Sequence, residues 1–581
     1  MSIRTLKINL RKFKLNSIIP IVLFSLSFSL VIISCRVDDN SKIVSQTNSN
    51  NTPIAASATT PATLSLGTNL NEIADWSTQL PFLDAFKSSR EWITQCQDGE
   101  SGCSNSWSTD EEEKLDLDEH GWVKSLPAPE DSPEYTRVAT LLFRGVEPYP
   151  GGQYVVLYDG EGTIEYRFNA AKDEAASTPG RDVINVTPSK GGIYLIITST
   201  DPNKTGNYIR NIRVVQAKYE NTYQSAVFNP DFIEKIKKFK ALRFMDWMRA
   251  NNSQQSEWAN RPKIEDASYA EKGAPVEVMV ELANQLKVDP WFTLPHMATD
   301  EYITKFAEIV KDSLDPDLTI YLEYSNEVWN AQFKQFEWVA KNGSIRGEKL
   351  PYQSYGVKTA QMCDMWKGVF GEESNRVKCV MGTQTGNPWV AGQVLDCEKW
   401  KEAPCYKHGI DALAITGYFS GRLGDPKYET TVASWLDDKN SDAFEKAITQ
   451  LKNGSVLEDT DNDSVDDLGK TFAEYSNIVK EKGLQLLVYE GGSHVVGIGK
   501  AVNNDKLTEF FIELHRRPEF YDLYTKMLEA WKDTEGTRGL FMNFTDIGKP
   551  TKWGSWGALE HVDQEGSPRY NALIDFIDKN P

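Results

Sequence analysis

Residues 318–327 read "LTIYLEYSNE": an apolar run of strand length that closes on an amide and two carboxylates, Glu323 and Glu327, just before a helix-like segment. The same form recurs along the chain. "FKALRFMDW" (239–247), "DPWFTLPH" (289–296), "RVKCVMGTQ" (376–384), "DALAITGYF" (411–419), "LQLLVYEGG" (484–492) and "GLFMNFTD" (539–546) follow it, most separated by segments of helical period. "ATLSLGTNL" (62–70) supplies an eighth strand, and "QLPFLDAFKSSREW" (79–92) follows it with Leu80, Leu83 and Phe86 at helical spacing. Eight strands alternating with helices predict an α/β fold, the (β/α)8 TIM barrel, whose functional side chains stand at the C-terminal ends of its strands.

Between about 121 and 216 the pattern changes to short alternating runs broken by Gly and Pro, such as "GQYVVLYDG", "GTIEYRFN" and "GIYLIITST". These predict an inserted β-sandwich domain. The expected organisation is a leader over 1–34, a flexible linker over 35–62, the first part of the barrel over 63–120, the sandwich over 121–216 and the remainder of the barrel over 217–581.

Composition narrows the partners. The chain has 581 residues and a net charge of −20, so no basic surface is available to neutralise a row of phosphates, and nucleic acid is excluded as a partner. A neutral or cationic ligand fits better, and 16 Trp offer indole faces suited to sugar rings as well as to cores. The cationic start (Arg4, Lys7, Arg11, Lys12, Lys14), the apolar run after it and Cys35 form a targeting segment. "VIISC" (31–35) resembles a bacterial lipobox, which implies cleavage before Cys35, acylation of its thiol and a membrane-anchored lipoprotein outside the cytoplasm. An uncleaved signal anchor is the alternative.

The other six cysteines fall into local couples, Cys96 with Cys103, Cys363 with Cys379 and Cys397 with Cys405, which suits disulfides in an exported chain. Zinc is disfavoured by the lack of CxxC and of His at ligand spacing. "EDTDNDSVDDLG" (458–469) sets Asp459, Asp461 and Asp463 at alternate positions, as in calcium loops, although Ser464 and Lys470 break the EF-hand pattern. A structural calcium or a solvated acidic loop are both open, and the reaction itself needs no cofactor. A monomer is expected.

Asked what each barrel strand ends with, the sequence answers Asn69 or Asn71, Arg243 with Asp246 and Trp247, His296, Asn326 with Glu327, Gln384 or Asn387, Tyr418, Glu490, and Asn543 followed by Trp553 and Trp556. Carboxylates ending strands four and seven face each other across the mouth, and a pair about 5–5.5 Å apart is the arrangement of a retaining glycosidase. This layout resembles the clan A glycoside hydrolases. The resemblance implies Glu327 as acid/base, Glu490 as nucleophile, Asn326 on the 2-hydroxyl of the reacting sugar, Arg243 holding Glu490 ionised, Tyr418 touching the nucleophile, His296 as a strand-three histidine, and Trp553 or Trp556 flooring the reacting subsite. Proximity of the Glu490 anion and burial against Trp329 or Tyr324 are expected to keep Glu327 protonated, with Trp329 also a substrate contact; Glu323 is expected to be a layer residue or the runner-up, not the acid. Val328 and Thr416 stand where one cellulase family has Pro and His. "EYSNEVWN" and "WGSWGALEH" are similar also to secreted bacterial proteins described as cellulose-binding. The expected activity is a retaining endo-β-glycanase on a polysaccharide, first a β-1,4-glucan. A non-catalytic glycan binder and an exo-acting glycosidase such as an arabinofuranosidase are the alternatives.

Overall fold

The computed structural model describes residues 64–127, 134–438, 442–458, 463–534 and 539–580. Cys35, Asp459 and Asp461 lie outside the described residues. Eight parallel strands close into one barrel: β1 (Ser65–Asn69), β2 (Ala241–Arg243), β3 (Asp289–Leu294), β4 (Ile320–Tyr324), β5 (Val377–Gly382), β6 (Ile410–Phe419), β7 (Gln485–Ser493) and β8 (Leu540–Asn543). Closure is made by β8 pairing back onto β1, Ser65 opposite Leu540 and Thr68 opposite Asn543. The strands read as almost unbroken apolar runs because helices cover one face and the barrel interior the other.

The helix after β3, Asp300–Ser313, shows how the outer layer forms. Thr299 caps it by accepting from the Tyr302 N–H, and Ile303, Phe306, Ala307 and Val310 recur on one buried stripe. Phe306 meets Phe292 of β3 edge-on at 5.3 Å, a contact whose burial contributes about 2 kcal/mol. Inside the barrel, the Phe541 ring lies where side chains on Gly417 and Gly491 would go, with ring carbons 2.9 and 2.4 Å from the ideal Cβ positions. Glycine is required there by close approach.

The segment between β1 and β2 carries the β-sandwich. One antiparallel sheet orders the strands Ile93–Gln95, Arg137–Leu142, Ile193–Thr200 and Gly162–Phe168, and the other Arg210–Gln216, Gly152–Asp159, Arg181–Val186 and Ala170–Lys172. Val138, Ile164, Leu195 and Ile197 from the first meet Tyr154, Val156, Ile184 and Val214 from the second in one core. Two details differ from the sequence reading. The strand Ile93–Gln95, upstream of residue 121, pairs with Arg137–Leu142 and so belongs to the sandwich. The helical spacing of Leu80, Leu83 and Phe86 yields only the short turn Ala85–Ser88, which Asp84 caps and Ser89 leaves in an extended conformation. Tertiary demand overrides spacing here: Phe86 is drawn into the sandwich core, stacking on Trp122 at 5.5 Å. The helix Pro230–Ile236, after the insert, precedes β2 instead.

The two ends of the insert are fastened together. The Leu83 N–H donates to the Val227 carbonyl (2.9 Å), the Asn229 N–H to Pro81 (2.8 Å), and the Val214 N–H to the Asp84 carboxylate (2.9 Å). Disulfides join Cys96–Cys103, Cys363–Cys379 and Cys397–Cys405, which suits an oxidising compartment. Among the described residues no helix is long and apolar enough to cross a membrane.

Candidate active site

The site is built around a buried cation. Arg243, the last residue of β2, is fully buried and makes five hydrogen bonds: Nε and Nη2 to Glu323 Oε2 (3.0 and 2.9 Å), Nη1 to Asn69 Oδ1 (2.9 Å) and to Glu490 Oε1 (2.8 Å), and Nη2 to Asn326 Oδ1 (2.8 Å). One guanidinium thus ties together the ends of β1, β2, β4 and β7, and an arginine can because it carries a fork of five donors. Glu323 also accepts from the Trp291 indole N–H at 2.9 Å. It is a layer residue beneath the mouth, as its strand position suggested.

After β4 the chain turns sharply, with positive φ at Ser325 (53°) and Glu327 (43°). A non-glycine residue in the left-handed region is held by its surroundings. Here the Ser325 N–H donates to Leu294 and the Asn330 N–H to Glu327, while the Gln335 amide donates to the Asn326 carbonyl. The turn brings the Glu327 carboxylate under two donors, the Tyr489 hydroxyl on Oε1 (2.9 Å) and the Asn330 amide on Oε2 (3.0 Å). Asn326 is oriented from the other side by donating to Asn251 Oδ1 (3.1 Å).

Tyr489 and Glu490 are consecutive, yet both face the site. Simple alternation would send one outward. The register of β7 slips on both flanks: Val488 pairs with Ile415 but Glu490 with Thr416, and Val488 pairs with Phe541 but Gly491 with Asn543. This bulge places the two side chains on the same side, an arrangement often met beside active sites. Glu490 Oε2 accepts from the Tyr418 hydroxyl at 3.0 Å.

The two carboxyls sit in different fields. Burial pushes Glu327 up to about 7, and the nearby Glu490 charge adds to that shift. Burial also raises Glu490, but the Arg243 cation and the Tyr418 hydroxyl work against it. Arg243, expected to hold Glu490 ionised, does oppose the rise, but desolvation is the larger influence and the net shift of Glu490 is upward. The two settings differ in one respect: Glu490 is in direct contact with a cation and Glu327 is not, which favours the charge on Glu490 and the proton on Glu327.

Tyr418 is flanked edge-on by Trp556 (6.0 Å) and His494 (5.4 Å). Trp556 donates its indole N–H to the Trp553 carbonyl (3.0 Å), whereas the Trp553 ring lies under Lys552. Of the two indoles, Trp556 is thus the one against Tyr418. His296 is buried against Trp338, with burial lowering it to about 4, so the ring is neutral. Trp329 and Trp247 are buried with the barrel core, Trp247 fully, which leaves little of either ring open to a sugar. Asp463, just before the helix Val465–Lys482, is occupied by the loop after β6: its carboxylate accepts from the Ser420 hydroxyl and from the Arg422 N–H (3.0 Å). Among the described residues no group of three or more His, Cys, Asp or Glu is placed to hold a metal ion.

Sequence reasoning missed Tyr489, Asn330 and Glu72. The bulge that reveals Tyr489 leaves no mark in hydrophobic alternation. Glu72 pairs with Arg249 (2.7 Å) beside Asp246, which desolvation, Glu72 and Glu490 push up to about 8, so the β1–β2 side of the mouth is rich in carboxyls.

No protein-family model matches the chain, and no curated protein matches it. Similar solved structures include a GH51 arabinofuranosidase from Xanthomonas axonopodis pv. citri, at 11% identity and TM-score 0.34, the match covering 60% of this chain and 66% of that one. A GH10 protein from Paenibacillus barcinonensis matches at 13% identity and TM-score 0.31, over 61% and 92% of the two chains. A GH5-4 broad specificity endoglucanase from Clostridium acetobutylicum matches at 13% and 0.34, over 60% and 89%. This chain spans just under two thirds of the arabinofuranosidase. Likeness at these identities and scores assigns no role to any residue. The described chain holds a (β/α)8 barrel that brings Glu327 and Glu490 to the ends of its fourth and seventh strands, Glu490 on the buried Arg243 and Glu327 on Tyr489.

Proposed function

We propose that the protein is a retaining endo-acting β-glycoside hydrolase that cleaves a polysaccharide outside the cytoplasm, with a β-1,4-glucan as the first substrate to try, and that Cys35 anchors it to a membrane. The observation that carries this reading is the unequal setting of the two carboxyls: Glu327 holds its proton up to about 7, while both oxygens of Glu490 are oriented, one by Arg243 and one by Tyr418. Glycosidic cleavage needs such a pair, one neutral and one charged at the same pH.

In the first displacement Glu490 attacks the anomeric carbon, the bond to the leaving oxygen breaks, and that oxygen takes the Glu327 proton. In the second, water attacks the anomeric carbon, gives its proton to the Glu327 carboxylate and frees Glu490. Asn326, fixed between Arg243 and Asn251, is suited to a hydroxyl next to the reacting carbon.

A 2-fluoro glycoside inactivator should label Glu490. Glu327→Ala should still form the glycosyl-enzyme from a substrate with an activated aryl leaving group and then stall, with azide restoring turnover and retained configuration in the product. Azide product of inverted configuration, or labelling of Glu323, would overturn the roles. Binding without hydrolysis across a panel of polysaccharides would make the barrel a glycan-binding scaffold.

A further inference from the structure

In the closed eight-stranded order, β1 and β5 lie on opposite sides of the mouth. Each of their loops carries an exposed tryptophan. Trp389 is the second residue of the helix Pro388–Asp396 after β5 and is 59% exposed; Trp76, in the loop after β1, is 44% exposed. Among the described residues one other tryptophan, Trp107 of the insert region, is comparably exposed.

Both rim tryptophans are placed by their surroundings. The Tyr352 ring meets Trp389 at 5.7 Å and 88°, and Tyr352 in turn packs on Phe336 at 5.9 Å. The backbone around Trp76 is fixed by the Ser77 N–H to Ala74 (3.1 Å), by Arg249 on the Ile73 carbonyl (3.2 Å) and by the Thr78 hydroxyl on the Glu560 carbonyl (2.8 Å). Trp389 is thus held by a ring contact and Trp76 stands on a fixed backbone, and an indole so placed and left open to water is poised to cover the apolar face of a sugar.

Direction follows from the proton. Glu327, at the end of β4, gives its proton to the leaving oxygen, so the departing part of the substrate lies on the β4–β5 side, toward Trp389. The part that becomes attached to Glu490 lies on the β1–β2 side, toward Trp76. The net charge of −20 disfavours a chain bearing uronates.

We infer that an uncharged glycan chain crosses the mouth from the β1 rim to the β5 rim, with Trp389 the platform for its leaving-side sugars and Trp76 the platform for the sugars on the other side. This rests on the glycosidase reading and adds to it the path, the polarity and the charge of the chain.

The test uses the full chain carrying Glu490→Ala, so that affinity is read without turnover. Trp389→Ala and Trp76→Ala should each raise Kd for hydroxyethylcellulose, galactomannan or xylan, whichever binds best, by about tenfold, and together by about a hundredfold. Trp→Phe at either place should recover most of the loss. With Glu490 intact, each Trp→Ala change should raise KM for the chain far more than it lowers kcat on an aryl glycoside. Loss confined to one tryptophan, or to neither, overturns the crossing path. Tighter binding of a uronate polymer overturns the charge. A cleft that needs both tryptophans in a protein hydrolysing nothing sinks the glycosidase reading and keeps the path.

Discussion

Arg243 matters less for the charge it brings than for how it divides it. It meets Glu323 and Glu490 directly and Glu327 not at all, and so it offsets the effect of burial more at Glu490 than at Glu327. The rate should therefore trace a bell in pH. It should fall on the alkaline side as Glu327 loses its proton through about 7, and on the acid side as Glu490 gains one. Tyr418→Phe removes a donor to the ionised Glu490, so the acid limb should move up by about one pH unit, measured from kcat/KM on an aryl glycoside. A second prediction concerns stability. Glu327 titrates higher folded than unfolded, so its contribution is favourable below the unfolded value and is lost as pH rises through about 7, a change of roughly 3 kcal/mol. Glu327→Gln cannot ionise and should melt a few degrees above wild type at pH 8, with the gap closing toward pH 4. An unchanged difference between those pH values would remove Glu327 as the group responsible.

Among the elements, those whose apolar period is unbroken were legible and those shaped by a distant partner were not. All eight barrel strands fall within the apolar runs to within one residue, and Arg243, Asn326, Glu327, Tyr418 and Glu490 stand near their C-terminal ends, because burial on both faces and polarity at the mouth both leave a sequence signal. Tyr489 was hidden because a register slip depends on what Thr416 and Asn543 pair with. The segment after β1 read as a helix because Phe86 has the right spacing for one, but its partners are Trp122 and Trp92 in the sandwich. Trp329 follows Glu327 by two residues and still goes to the core, since the left-handed turn at Glu327 redirects the chain. The long helix Pro351–Phe370 is tied to β5 by Cys363–Cys379, a bridge across 16 residues. Replacing both cysteines by Ala should cost about 3 kcal/mol in denaturant unfolding, and reduction of wild type should reproduce much of that loss. Equal stability of the two proteins would mean the bridge constrains little.

At the scale of the whole molecule, barrel and sandwich share a boundary made by Phe86, which lies between Trp92 and Trp122 with Ala267 from the β2–β3 segment in the same cluster. Phe86→Ala should remove about 3–5 kcal/mol from the insert and its junction. Calorimetry should then show a separate transition at lower temperature, and limited proteolysis should cut within 93–216 while aryl-glycoside turnover persists. Loss of turnover in step with that cleavage would show that the insert supports the catalytic barrel.

The fastened neck of the insert also bears on the order of events during synthesis. β1 emerges from the ribosome long before β8, the strand that closes the barrel against it, and a β1 strand left alone is an unpaired edge open to wrong partners. The sandwich is contiguous from Ile93 to Gln216 and can assemble as soon as it is made. Once Asp84, Leu83 and Pro81 have bonded to Val214, Val227 and Asn229, the long span between β1 and β2 is shortened to a clasp, and most of the loop entropy of joining those two strands has already been spent. A domain that interrupts the barrel in sequence would then act in time as its first scaffold, presenting β1 to β2 while the remaining strands are still to be translated.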